Sequence, residues 1–163
     1  MRTQRDEFTE GPIASVEVRP LRKHSDQRGW LVEIYRIDEL EARIRPVMAY
    51  VSETLPGVTR GPHEHTEQGD YFCFLSSTFE LILWDNRPQS PTFWHKQRIV
   101  AGEDNPCVVV VPEGVVHAYR NIGEKAGWVI NCANRLYAGP GRKEPVDEIR
   151  HESDPNNPFR VTP

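Results

Sequence analysis

Proline and glycine break this chain at short intervals, and the runs between them are β-branched or aromatic. Fourteen prolines and eleven glycines fall among 163 residues. Ile13–Arg19, Trp30–Arg36, Val47–Ser52, Tyr71–Leu75, Phe79–Trp84, Trp94–Val100, Cys107–Val111, Val116–Asn121 and Trp128–Asn134 each have the composition of a strand. Within one of them Phe79, Leu81 and Leu83 alternate with Glu80 and Ile82, which sends the two sets to opposite faces. Only Asp38–Arg43 reads as helical, with Asp38 as its N-cap before Leu40. Short strands separated by turn signals predict an all-β fold, an antiparallel sandwich or barrel with one short helix.

The length predicts one domain over residues 1–163, with its core over about 13–137. Residues 138–163 are rich in Gly, Pro, Asn and charge, so they are expected to wrap that core. Twenty basic against 24 acidic side chains give a net charge of −4, which argues against a nucleic-acid partner. An anionic ligand remains open, because a few local arginines suffice to hold a diphosphate. Apolar stretches such as Cys107–Val111 are far shorter than the ~20 residues of a membrane span, and Met1–Gly11 is too polar for a secretory signal. Cys73, Cys107 and Cys132 lie in apolar runs without C-x-x-C spacing and read as buried thiols of a reducing, cytoplasmic compartment. His24, His95 and His151 read as surface residues, the four tryptophans as core, and Glu144–Glu152 as a solvated stretch.

Two motifs carry the chemistry. In Arg60-Gly61-Pro62-His63-Glu64-His65 the two histidines are two apart, so on a strand they share a face, and Asp70 opens the next strand close behind. In Pro112-Glu113-Gly114-Val115-Val116-His117 a turn places a third histidine at the start of a strand. Three imidazoles and a carboxylate suit a divalent transition metal such as Fe, Mn, Ni or Zn. An isolated H-x-H would read as no more than exposed turn histidines; the pairing with the second motif is what gives it weight.

H-x-H-x-x-x-x-D followed by P-x-G-x-x-H-x-x-x-N resembles the two motifs of the cupin superfamily, which implies a double-stranded β-helix, the cupin jelly roll. Within it the chain resembles the dTDP-4-dehydrorhamnose 3,5-epimerase family, whose substrates are nucleotide-linked 4-keto-6-deoxy sugars. The resembling stretches are Asp26 through Glu33, Gly57 through His63, Gln68-Gly69, Asp85 through Thr92, Val111 through His117, and Ser153-Asp154-Pro155. The resemblance implies that His63 is the general base beside the sugar ketone and that Asp154 orients it. Arg28 and Arg60 match diphosphate-holding positions, and Glu33 matches a pocket-lining acid. It also implies a homodimer with strands contributed across the interface, for which Ile13–Arg19 is the expected pairing strand.

The chain departs from the family pattern at three places. Asp70 stands where an enolate-stabilising lysine is expected, Asn131 where a tyrosine acid is expected, and Met48 and Tyr50 where Gln and Asn are expected. An anionic Asp70 beside a developing enolate opposes the reaction, and a metal on His63, His65, Asp70 and His117 would restore the missing charge. A His63 that ligates a metal cannot also be the free base, which would pass that role to Glu67, Tyr71 or Tyr119. Three readings therefore stand: a sugar-nucleotide epimerase or isomerase working by proton abstraction, a metal-dependent cupin of other chemistry such as a dioxygenase or lyase, and a non-catalytic sugar-nucleotide binding module.

Overall fold

The computed structural model describes residues 7–162; residues 1–6, half of the polar opening stretch considered above, and residue 163 lie outside them. Thirteen strands appear in the order β1 (Thr9–Glu10), β2 (Glu17–Pro20), β3 (His24–Asp26), β4 (Gly29–Leu31), β5 (Met48–Thr54), β6 (Thr59–Glu64) and β7 (Asp70–Phe74). They continue with β8 (Thr78–Asp85), β9 (His95–Gly102), β10 (Cys107–Val111), β11 (Val115–Asn121), β12 (Gly127–Ala133) and β13 (Ile149–Arg150). One sheet has the order β1-β9-β8-β11-β6-β13 and the other β2-β10-β7-β12-β5, while β3 and β4 form a separate hairpin. Strands distant in sequence are thus neighbours in both sheets, as in the expected jelly roll.

The central strands of each sheet are buried on both faces, which explains why several are apolar without a break. Phe72, Phe74, Phe79, Leu81, Leu83, Val109, Val115 and Tyr119 fill the space between the sheets. Behind the five-stranded sheet, Tyr71, Cys73, Val108, Val110 and Cys132 pack against Leu40 and Ile44. Behind the six-stranded sheet, Ile82, Trp84, Val116 and Ala118 are covered by Phe159, with Phe8 and Val161 beside it. Strand β10 is therefore a continuous Cys-Val-Val-Val-Val run rather than an alternating one, since both of its faces need apolar side chains. The alternation read in β8 is present: Phe79, Leu81 and Leu83 point between the sheets, Ile82 and Trp84 outward to the second cluster.

Several expectations need correction. Asp38–Arg43 is not a helix: two 3-10 turns, Ile37–Glu39 and Ala42–Ile44, are separated by an extended Leu40. Asp38 caps nothing and instead pairs with Arg36 at 2.7 Å. The break still delivers Leu40 and Ile44 to one buried cluster, the task a helix would have served. Strand Trp30–Arg36 shrinks to Gly29–Leu31, with Trp30 48% exposed rather than in the core. Ile13–Arg19 shrinks to Glu17–Pro20 and pairs antiparallel with β10 of its own chain. All three cysteines are free and buried, as expected. Among the described residues no helix is long and apolar enough to cross a membrane.

Candidate functional site

Strand β6, which the sequence reading left unassigned because Arg-Gly-Pro-His-Glu is polar and broken, carries the first histidine. Its pairing with β11 sets His63 opposite His117, and the register shifts between His117 and Tyr119. Gly61 permits this close approach: at φ +88 a Cβ there would lie 2.6 Å from the His117 carbonyl oxygen. His65 follows directly, its carbonyl accepting the Gly114 N–H at 2.8 Å, so the Pro-x-Gly turn docks on the H-x-H segment. The ring centroids of His63 and His117 are 4.4 Å apart, and each lies 5.7 Å from that of His65.

Asp70, at the start of β7, completes the cluster and is fully enclosed. Its Oδ1 accepts Gln68 Nε2 at 2.9 Å and Asn131 Nδ2 at 2.7 Å. Its Oδ2 lies 3.3 Å from both His65 Nε2 and His117 Nε2. The other ring nitrogens are tied to backbone: His117 Nδ1 to the Val115 carbonyl at 3.0 Å, and His65 Nδ1 to the Asp147 carbonyl. With its Nδ1–H donating to a carbonyl, a neutral His117 turns the lone pair of its Nε2 toward Asp70, whereas His65 carries a second proton on Nε2 that points at Asp70 Oδ2. Among the described residues His117 Nε2 is buried with no hydrogen-bond partner. His63 makes none of these contacts among the described residues and lines a pocket.

Burial, reinforced by the charges of His117 and His65, pushes His63 down to about 2, so it is neutral with a lone pair available. Burial also lowers His117. Burial works against charge on His65 as well, but the hydrogen bond and charge of Asp70 outweigh it and push His65 up to about 9. Asp70 is held below the usual carboxylate range by His65, His117 and Asn131 despite its burial.

A pocket of about 520 Å³ opens over His63 and His65. One wall is β5, with Met48 and Tyr50; the other is the segment after β12, which brings Tyr137, Arg135, Arg142 and Arg150. Asp147 clamps that segment down. Its carboxylate accepts the backbone N–H groups of Thr66, Glu67 and Gln68 at 2.8–2.9 Å and the Thr66 hydroxyl at 2.6 Å. The stretch expected to be merely solvated is thus a wall of the site. Arg142 makes no ion pair among the described residues, whereas Arg135 pairs with Glu67 and Arg150 with Glu148.

The structure gathers His63, His65, Asp70 and His117 but not the other expected residues. Asp154 is exposed, its carboxylate accepting the Asn156 N–H at 2.9 Å, and it does not reach His63. Arg28 pairs with Asp26 at 2.5 Å in the tip of the β3–β4 hairpin, with 83% of its side chain exposed. Arg60 is committed to Thr54 Oγ1 at 2.9 Å and the Glu53 carbonyl at 2.6 Å. Glu33 is exposed, and none of these four lines the pocket. The substitute bases are also elsewhere: Tyr71 donates to the Ile34 carbonyl, Tyr119 bonds Ser52 in the core, and Glu67 holds Arg135. His151 is not a free surface group, since its Nε2 meets the buried Glu64 carboxylate at 2.8 Å. Tyr50, Arg142 and Asp147 were missed because they lie outside both histidine motifs.

Residues 10–147 match the family model described as dTDP-4-dehydrorhamnose 3,5-epimerase. The chain is 40% identical over 126 residues, 77% of its length and 81% of the relative's, to the probable low-salt glycan biosynthesis epimerase Agl13 of Haloferax volcanii. It is 39% identical over 127 residues, 77% of its length and 82% of the relative's, to the spore coat polysaccharide biosynthesis protein SpsL of Bacillus subtilis. Its fold is similar to that of a dTDP sugar isomerase from Desulfovibrio desulfuricans, with a TM-score of 0.76 at 22% identity over 88% of each chain.

Proposed function

Because the chain belongs to the dTDP-4-dehydrorhamnose 3,5-epimerase family, we propose that it epimerises a nucleotide-linked 4-keto-6-deoxy sugar, with His63 as the base. The observation that carries this is the His63 imidazole lining a pocket large enough for a sugar, with no protein partner for its ring nitrogens among the described hydrogen bonds. His63 takes a proton from the carbon beside the ketone, the C–H electron pair moves into the C–C bond, and the oxygen gains the negative charge. Positive charge for that oxygen comes from His65 rather than from residue 70. For the diphosphate we assign the pocket-wall arginines, Arg142 first because it lacks a carboxylate partner among the described residues.

A second reading adds a divalent ion, and the donor set fits one. Two ligands bonded about 2.0–2.1 Å from one ion, at octahedral to tetrahedral angles, lie roughly 2.9–3.4 Å apart. Asp70 Oδ2 is 3.3 Å from the Nε2 atoms of both His65 and His117. A ligand atom of His63 also lies within 4.8 Å of those of the other two histidines. The Nε2 of His117, buried without a partner, is the observation that favours this reading. His65, His117 and Asp70 would hold the ion, which supplies electrophilic pull on a ketone oxygen. His63, with no contact within 4 Å of Asp70 among the described residues, would stay free as the base. Elemental analysis tests this: stoichiometric metal in the parent, lost in His117→Ala and kept in His63→Asn.

We further place the protein as one functional unit and a homodimer in the cytoplasm. Three free thiols suit a reducing compartment. The outer edge of β5, with Val51 exposed and Val47 exposed just before it, and the hairpin carrying exposed Trp30 and Leu31, would be the surfaces that two copies bring together. The deciding experiment for the epimerase reading is incubation in D₂O with a dTDP-linked 4-keto-6-deoxyhexose. Deuterium should enter beside the ketone, and His63→Asn should slow this at least about 100-fold. No exchange by the parent with any such substrate would sink the reading.

A further inference from the structure

The amide of Asn131 fixes the direction of the hydrogen bonds around Tyr50. Its Oδ1 accepts the Tyr71 N–H at 3.0 Å, which sets the orientation of the amide and leaves two Nδ2 protons to donate. One goes to Asp70 Oδ1 at 2.7 Å and the other to the Tyr50 hydroxyl at 3.0 Å. The phenol oxygen is therefore an acceptor in this bond, and its own proton is not used by Asn131. Among the described residues the Tyr50 hydroxyl has no other hydrogen-bond partner. Tyr50 lines the pocket together with His63. The two come from different sheets, Tyr50 from β5 in the five-stranded sheet and His63 from β6 in the six-stranded one.

Inversion at carbon needs a base on one face and a proton source on the other. We propose that Tyr50 is that proton source, delivering its phenolic proton to the carbon that His63, on the other sheet, has deprotonated. The inference rests on the epimerase reading and deepens it. Where the resemblance led one to expect a tyrosine at residue 131, this chain holds Asn131, and Tyr50 is its direct register partner on the neighbouring strand. The hydroxyl is supplied from across the strand pair. In the step, the enolate C=C pair forms the new C–H bond, the Tyr50 O–H bond breaks, and the ketone is restored. The phenolate that remains keeps the Asn131 Nδ2–H as a donor, then regains a proton from solvent as His63 releases its own. Burial, against the opposing hydrogen bond of Asn131, pushes Tyr50 up to about 12, so the phenol is protonated at neutral pH.

Tyr50→Phe keeps the ring and removes only the proton, and the assay reads two quantities from one incubation in D₂O. Deuterium exchange into recovered substrate should stay within about threefold of the parent, because His63 is untouched. Inverted product should fall at least about 100-fold. Inversion at the parental rate would overturn the proposal, as would loss of exchange and inversion together in a variant that melts like the parent. It would also be overturned if Tyr137→Phe, the other phenol on the pocket wall, showed the split pattern in place of Tyr50→Phe. A failure of the epimerase reading is distinguishable, since it appears in the parent as absence of exchange.

Discussion

At the scale of single residues, two aspartates outside the histidine cluster, one in the core and one on the pocket wall, hold their surroundings together. Asp85 is fully buried at the end of β8, and Arg87, Ser90 and Thr92 all donate to its carboxylate. Burial alone would raise it, but those donors win and hold it at about 2, below its ordinary 3.8. A depressed carboxylate stabilises the fold above its unfolded value and loses that contribution as pH falls toward the folded one. About 2 kcal/mol should therefore be present at pH 6 and fade between about pH 4 and pH 2. Urea unfolding of the parent and Asp85→Asn should show a stability gap at pH 6 that closes as the pH approaches 2. Asp147 acts on the site rather than the core. Replacing it with Ala should speed amide exchange at Thr66, Glu67 and Gln68 while global stability falls by no more than about 3 kcal/mol, the scale of its charge-assisted bonds.

At the scale of elements, the sequence was most readable where burial on both faces leaves no choice of residue. Cys107–Val111 coincides with β10 for that reason. Strand β6 was hidden because its pocket-forming task calls for Arg, Gly, Pro and His, which are poor strand formers taken alone. The histidine cluster was legible from spacing, since residues two apart on β6 and a turn before β11 meet across one pair of strands. The arginine assignments were not, because which guanidinium faces a pocket depends on loop paths that spacing does not encode. The segment after β12 was likewise opaque: its acidic composition looks solvated, yet Asp147 anchors it and Phe159 seals the outer cluster. Phe159 is 3% exposed among Trp84, Phe8 and His151. Phe159→Ala should cost about 3 kcal/mol in a chemical denaturation series, as for a core phenylalanine rather than a tail residue.

At the scale of the whole molecule, the five-stranded sheet ends on β5, a seven-residue strand whose outer edge is unpaired among the described residues and whose Val51 is 65% exposed. Long bare edges recruit partners, and a lysine on such an edge is a common device for blocking them. Sedimentation should give a dimer for the parent at micromolar concentration and a monomer for Val51→Lys. A monomeric parent would remove the dimer from the reading. The strand order has a further consequence, for how the molecule comes into being. Among the described residues β5 pairs with β12 alone, and β6 pairs with β11 and β13, all drawn from the later half of the chain. At ~5–20 residues per second of synthesis, the roughly 70 residues from β5 to β12 take several seconds to emerge. Through that interval Tyr50 and His63 are on the nascent chain with no wall to stand on. The pocket closes only once Asp147 has cleared the ribosome, so a chain stalled before that point carries every histidine of the site and lacks the wall that Asp147 holds down.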